Sequence, residues 1–86
     1  MEIHFGIVRD RQGIYTGLLE SRSHQRQLAV CYNNDGKLIV KICVVKRIER
    51  SKEGIWVTLF APDDDNSEIT ILIDHIQSIY PIRGYA

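Results

Sequence analysis

Two apolar runs in the middle of the chain flank a short polar segment. β-branched and aromatic residues dominate both runs, at 28–32 and 38–45, which is typical of strands. The Asp35-Gly36 pair between them favours a two-residue type I′ turn, because both central positions of that turn need a positive φ. The pattern therefore predicts an antiparallel hairpin over residues 27–45.

Both faces of this predicted hairpin are apolar, although an antiparallel strand with one face in water normally alternates apolar and polar residues. One face carries Ala29, Cys31, Leu38, Val40, Ile42 and Val44. The other carries Leu28, Val30, Tyr32, Ile39, Cys43 and Val45, interrupted by Lys41. Either the hairpin lies inside a barrel whose long strands bend around the core, or its second face meets another subunit. We therefore expect self-association, through this face or by pairing of strand edges.

The second half of the chain continues as short strands separated by turns. Residues 55–60 and 69–73 are predicted strands, and between them Pro62, which cannot donate to a ladder, precedes a polar loop at 63–68. Apolar residues then recur every three positions between 73 and 79. This spacing suits one helical turn capped by Asp74, followed by a closing strand over 78–82.

The first 26 residues allow two interpretations. Apolar residues alternate at 3, 5 and 7, and a turn at Gln12-Gly13 followed by a returning strand at 14–19 would make a hairpin. Alternatively, residues 14–25 form a helix that carries its apolar side chains on one side. Gly17 costs such a helix up to about 1 kcal/mol, and the residues before it favour a strand. The hairpin is slightly favoured, and the helix stays open.

Together these patterns predict an all-β fold, a small antiparallel barrel of five or six strands formed by a single domain over residues 1–86. No apolar run approaches the ~18 residues that a membrane span requires. The first residues have neither the basic nor the apolar region of a secretory signal. The expected compartment is the cytoplasm.

The formal net charge is zero, with 11 basic and 11 acidic residues, but the two signs are separated along the chain. The basic residues lie mostly before position 53. Six of them are candidates for contact with a nucleic acid or a protein partner: Arg22, Arg26, Lys46, Arg47, Arg50 and Lys52. The acidic residues of the polar loop form a second candidate surface, facing a partner: Asp63, Asp64, Asp65 and Glu68.

The residues that could carry chemistry form no recognisable site. The predicted hairpin places Cys31 opposite Val40 and Cys43 opposite Leu28, so the two thiols lie on opposite faces, too far apart for a disulfide. The three histidines are scattered, and the acidic loop lacks the glycine and glutamate of a calcium-binding loop. No nucleophile with an adjacent base can be assembled. The sequence therefore predicts no enzyme, no metal and no cofactor.

The order of predicted elements over residues 15–84 resembles that of a bacterial Sm-like (Hfq-type) barrel, a fold related to the SH3-like barrels. The points of likeness are the hairpin with its Asp35-Gly36 turn, the long second strand, the two later strands and the terminal 76–81 segment, Ile-Gln-Ser-Ile-Tyr-Pro. The order is similar also to the Rho-binding antiterminator (Rof) family, which uses this fold to bind a protein. The lysine–histidine pair with which the Hfq family grips uridines would fall near 73–75, where Asp74 is unfavourable for phosphate.

These features favour a non-enzymatic adaptor or regulator that binds a macromolecule, with a protein partner slightly preferred over RNA. The acidic loop at 63–68 would repel phosphate and would match a basic protein surface. The alternative is an oligomeric Sm-like RNA-binding protein whose basic residues contact the phosphate backbone. A small enzyme with an unrecognised site is a second alternative.

Overall fold

The structure is a computed structural model and is described for residues 6–82. One α-helix precedes five strands, and a 3₁₀ turn separates the last two strands. The elements are α1 (Arg11–His24), β1 (Leu28–Asn34), β2 (Lys37–Ser51), β3 (Gly54–Ala61), β4 (Ser67–Leu72), the 3₁₀ turn (Ile73–His75) and β5 (Ile76–Pro81). The strands form one antiparallel sheet in the order β4-β3-β2-β1-β5.

The predicted all-β fold of five antiparallel strands is confirmed, but the sheet is not a closed barrel. Within residues 6–82, β4 and β5 are the terminal strands, and no ladder joins them. The predicted hairpin register is confirmed, because Cys31 pairs with Val40 and Leu28 pairs with Cys43. Closure of a barrel requires contact between strands far apart in sequence, and a pattern of local apolar alternation does not specify that contact.

The N-terminal hairpin is wrong, and the helical alternative is observed. Helix α1 begins after Asp10, whose carboxylate accepts a hydrogen bond from the Gly13 N–H at 2.7 Å. Gly17, which argued against a helix, faces β5, and a Cβ at this position would collide with Cδ1 of Ile79. The glycine is therefore required by the close approach of α1 to β5. The alternating residues at 3 and 5 lie outside the described part of the chain.

The core lies between α1 and the inner face of the sheet. The buried apolar side chains are Ile14 and Leu18 from α1 and Leu28, Val30, Tyr32, Cys43, Val45, Val57, Leu59, Ala61, Ile73, Ile76 and Ile79 from the strands and the 3₁₀ turn. Most follow the predicted alternation. They make one connected apolar cluster beneath the sheet.

The three-residue apolar spacing near the C-terminus arises from two irregularities. The predicted helical turn is confirmed at Ile73–His75, but Asp74 is not its cap, since Leu72 precedes the turn without a side-chain hydrogen bond. The Asp74 carboxylate instead makes an ion pair with Arg11. In β5 the register with β1 skips Gln77, and because of this bulge Ile79 lies on the inner face as Ile76 does.

A buried serine joins the end of α1 to the middle of β2. Strand β1 begins at Leu28, opposite Cys43, so it has no residue opposite Val45 that could accept a hydrogen bond from the Val45 backbone N–H. Ser21, which is fully buried, accepts a hydrogen bond from that N–H at 3.1 Å and donates one to the Arg26 carbonyl at 2.6 Å. One hydroxyl therefore satisfies a β2 donor beyond the reach of β1 and ties the helix C-terminus to the sheet.

Replacing this serine tests that role. Ser21→Ala leaves the Val45 N–H without its partner, and we expect a loss of about 1–3 kcal/mol in the free energy of unfolding, measured by denaturant titration. Ser23→Ala, at an exposed position on the same helix, is the matched control, with an expected change within about 0.5 kcal/mol. Equal effects of the two substitutions would contradict the assigned role of Ser21.

Candidate interaction surface

The outer face of the β1–β2 hairpin exposes a row of aliphatic side chains. Along β2, the exposed fractions of Leu38, Val40 and Ile42 are 61%, 63% and 41%. They share this face because successive strand residues point to opposite sides of the sheet. The intervening residues face inward. The sequence predicted that both faces of the hairpin are apolar, and the structure leaves the second face uncovered within residues 6–82.

Strands β1 and β5 extend this row sideways. Cys31 lies opposite Val40, and Ala29 lies between Ile42 on β2 and Tyr80 on β5. The Tyr80 side chain is 44% exposed. We name these six residues the outer patch: Ala29, Cys31, Leu38, Val40, Ile42 and Tyr80.

The acidic loop between β3 and β4 borders the outer patch. Asp63 and Asp64 line a shallow recess together with Val40 and Ile42. Asp64 and Ser67 join the ends of a turn, and the two residues between them adopt left-handed backbone conformations. The outer patch therefore has a negatively charged border on this side.

Lys41 anchors the acidic loop to β2. Its ammonium group donates to the Asp64 carboxylate, which also accepts from the Ser67 hydroxyl at 3.2 Å. The hydrogen bond from Lys41 and the attraction between the two charges lower the pKa of Asp64, and the same hydrogen bond raises the pKa of Lys41. The lysine that interrupts the inner apolar face is accounted for by this ion pair.

A second ion pair fixes the start of β4. Lys46 lies 2.8 Å from the Glu68 carboxylate, and its ammonium group lies 5.4 Å from the centre of the Phe60 ring. The hydrogen bond from Lys46, followed by the attraction between the charges, lowers the pKa of Glu68. Three of the predicted partner-binding residues (Lys46, Asp64 and Glu68) therefore also hold parts of the chain together.

The six basic candidates divide into two groups. The contact between Ser21 and Val45 brings the last turn of α1 beside β2. The backbones of Arg22, Arg26, Lys46 and Arg47 therefore lie around this junction, although the Lys46 side chain reaches away to Glu68 on β4. Arg50 and Lys52 lie at the tip of the β2–β3 hairpin, roughly 10–15 Å further along the strand at about 3.3 Å per residue. All six are exposed, and the structure does not gather them into one cluster.

The two cysteines are free and lie in different environments. Cys31 is half-buried in the outer patch, whereas Cys43 is 1% exposed on the inner face. Burial raises the pKa of the Cys43 thiol to about 11. Among residues 6–82, no three histidine, cysteine or acidic side chains gather where they could hold a metal ion. In the same range, no helix is long and apolar enough to cross a bilayer.

Sequence reasoning did not place Tyr80 beside the hairpin. The signal was present in the closing strand, since Ile79 points inward and its neighbour must therefore point outward. Placing Tyr80 in the outer patch also requires the pairing of β5 with β1, which joins residues about fifty positions apart.

Comparisons with protein-family models, with curated proteins and with solved structures find no match for this chain.

The two thiols should differ in reactivity. In the native protein at pH 8, we expect a disulfide reagent such as DTNB to label Cys31 and to leave Cys43 unmodified. A thiol with a pKa of about 11 is ionised to roughly one part in a thousand at that pH. Denaturant should release the second equivalent, and Cys31→Ser should abolish the fast reaction. Equal rates for both thiols in the native state would contradict the burial of Cys43.

The ion pairs of the acidic loop should make stability depend on pH. The pKa values of Asp64 and Glu68 are lowered in the folded state, so their contribution is fully present above their unfolded pKa values of about 4. It is lost as the pH falls through the lower folded values. We expect the Tm of Asp64→Asn/Glu68→Gln to lie below that of the unmodified chain at pH 7 and to converge with it at lower pH.

The matched control is Glu53→Gln, a carboxylate-to-amide change in the exposed β2–β3 turn. Its Tm should show no comparable convergence. A gap between the double variant and the unmodified chain that stays constant from pH 7 to pH 2 would contradict the contribution of the two ion pairs.

Proposed function

We propose that the protein is a non-enzymatic adaptor or regulator that binds another protein through the outer patch. The observation that carries this proposal is the exposure of Leu38, Val40 and Ile42 in an unbroken row on one strand. Single exposed aliphatic side chains are ordinary, but contiguous apolar patches mark interaction sites. An aromatic residue at the border of the patch, Tyr80, adds a side-chain type that is enriched in protein interfaces.

The charges around the outer patch support a partner with an apolar centre and a basic border. Asp63 and Asp64 lie beside Val40 and Ile42, and because Lys41 pairs with Asp64, a phosphate backbone approaching this face would meet the negative charge of Asp63. Opposite charges across an interface speed association and select the partner, and this effect weakens with salt. These observations favour a protein over RNA at the outer patch.

We further propose that the chain is Sm-like in fold and acts in the cytoplasm. The order of one helix, four strands, a helical turn and a closing strand supports the resemblance inferred from the sequence. Asp74 lies near the positions where the resemblance to the Hfq family would put the uridine-gripping pair, and its ion pair with Arg11 supports a protein-binding role in the manner of the Rof family.

A capture experiment with two matched lysine substitutions tests the proposal. Val40→Lys places a charge in the centre of the outer patch, and Gln77→Lys adds the same charge at an exposed position on β5. Each immobilised variant is exposed to cell lysate with and without nuclease. We expect protein capture to resist nuclease, to survive Gln77→Lys and to fall roughly tenfold or more with Val40→Lys, since burial of one valine is worth about 1.5 kcal/mol or more.

The result that would overturn the proposal is capture that disappears with nuclease while RNA is recovered from the untreated sample. That result would favour the alternative of an RNA-binding protein. In that case, substitution of Arg22, Arg26 or Arg47 around the α1–β2 junction should lower both RNA affinity and its dependence on salt.

A further inference from the structure

The two terminal strands of the sheet are protected to very different degrees. On β5, the N–H and carbonyl of Ile79 exchange hydrogen bonds with Val8 at 3.0 and 2.8 Å. Pro81 offers no N–H, and Gln77 lies in a bulge. Proline, bulges and a covering segment are the devices by which proteins prevent strand addition at an edge. The outer edge of β5 is therefore poorly suited to pair with another strand.

Strand β4 has none of these devices. Its six residues pair with β3 in unbroken register, without a bulge, and it contains no proline. Within residues 6–82, no segment pairs with its other side. Ile69 and Ile71 pack against the core but remain half-exposed. This edge therefore offers free backbone groups next to apolar side chains, the combination that favours strand addition.

We propose that the β4 edge pairs antiparallel with β4 of a second copy of the chain, about a two-fold axis at Thr70. The occupant is inferred from the sequence of the strand, because Ile69-Thr70-Ile71 reads the same in both directions. A two-fold interface requires such self-complementarity. With Thr70 opposite its own copy, Ile69 of one chain faces Ile71 of the other, and the inner apolar face continues across the axis.

The charges on the strand agree with this pairing. In this register Glu68 lies opposite Leu72 of the second copy, so no two like charges face each other directly. Lys46 of the same chain already neutralises Glu68 at 2.8 Å. The Thr70 hydroxyl lies 3.0 Å from that of Thr58 on β3, which continues a polar row toward the axis.

The contrast between the edges also determines the form of the assembly. A ring of copies would need β4 of one chain to pair with β5 of the next, and the groups of Ile79 that point outward on β5 are already occupied by Val8. Pairing of β4 with β4 uses one edge of each chain and closes at two copies. The dimer leaves both outer patches uncovered, since the patch lies on β5, β1 and the first half of β2, and β3 lies between β2 and β4.

Charged substitutions at the two-fold axis, one positive and one negative, test the pairing. In Thr70→Lys and in Thr70→Glu, each chain would place a charge against an identical one. We expect light scattering at tens of micromolar to give a dimer for the unmodified chain and a monomer for each variant. A mixture of equal amounts should form dimers again. Circular dichroism and thermal melts establish that each variant is folded.

A second variant keeps the test decisive if a charged variant does not fold. Thr70→Cys in a Cys31→Ser background should form a covalent dimer on mild oxidation, because directly opposed Cβ atoms lie about 4.5–5.5 Å apart. A monomeric or ring-forming unmodified chain, failure of the mixture to dimerise, or no covalent dimer would overturn the proposal.

The variant Val40→Lys distinguishes association through the β4 edge from binding through the outer patch. It should lower capture by the outer patch roughly tenfold or more and leave the dimer intact. Conversion of Val40→Lys to a monomer would show that copies associate through the outer patch and would overturn pairing at β4. Loss of capture without loss of the dimer would leave both proposals standing.

Discussion

The fold depends on one long strand, β2, which pairs with β1 along its first half and with β3 along its second half. Strand β2 has 15 residues, whereas β1 has 7 and β3 has 8. Residues 37–43 pair with β1 and residues 44–51 pair with β3. The change of partner coincides with a register shift after Val45, where a bulge increases strand twist. The two halves of β2 can therefore enclose one core although they belong to different ladders.

The change of partner explains the position of Ser21 and of the acidic loop. At the change, the Val45 N–H has passed the beginning of β1, and the Ser21 hydroxyl takes the place of a strand carbonyl. On its other side, the first half of β2 lies beside the loop that follows Ala61, and Lys41 reaches Asp64 there. At each contact β2 has a neighbouring strand on one side only, β1 beside Lys41 and β3 beside Val45.

The parts of the fold that were predictable are those fixed by neighbouring residues. The Asp35-Gly36 turn sets the register of β1 and β2, so the face of each residue from Leu28 to Val45 followed directly. The helix was harder to predict than the hairpin, because Gly17 disfavours a helix locally. The reason for a glycine at this position is its contact with Ile79, which is distant in sequence. The open sheet and the ion pairs of Lys41 and Lys46 depend on residues more than twenty positions apart.

Folding reduces the separation of positive and negative charges that is seen along the sequence. Lysines from the basic half meet carboxylates from the acidic half at two positions, so part of the apparent charge separation is removed by folding. These ion pairs hold the acidic loop beside the outer patch and neutralise two of the four carboxylates of the loop. Asp63 and Asp65 make no ion pair within residues 6–82, so these two charges of the loop remain exposed to solvent. Attraction by so few exposed charges adds mainly to the rate of association. For the proposed protein partner, affinity would therefore come from burial of Leu38, Val40 and Ile42, which salt does not screen.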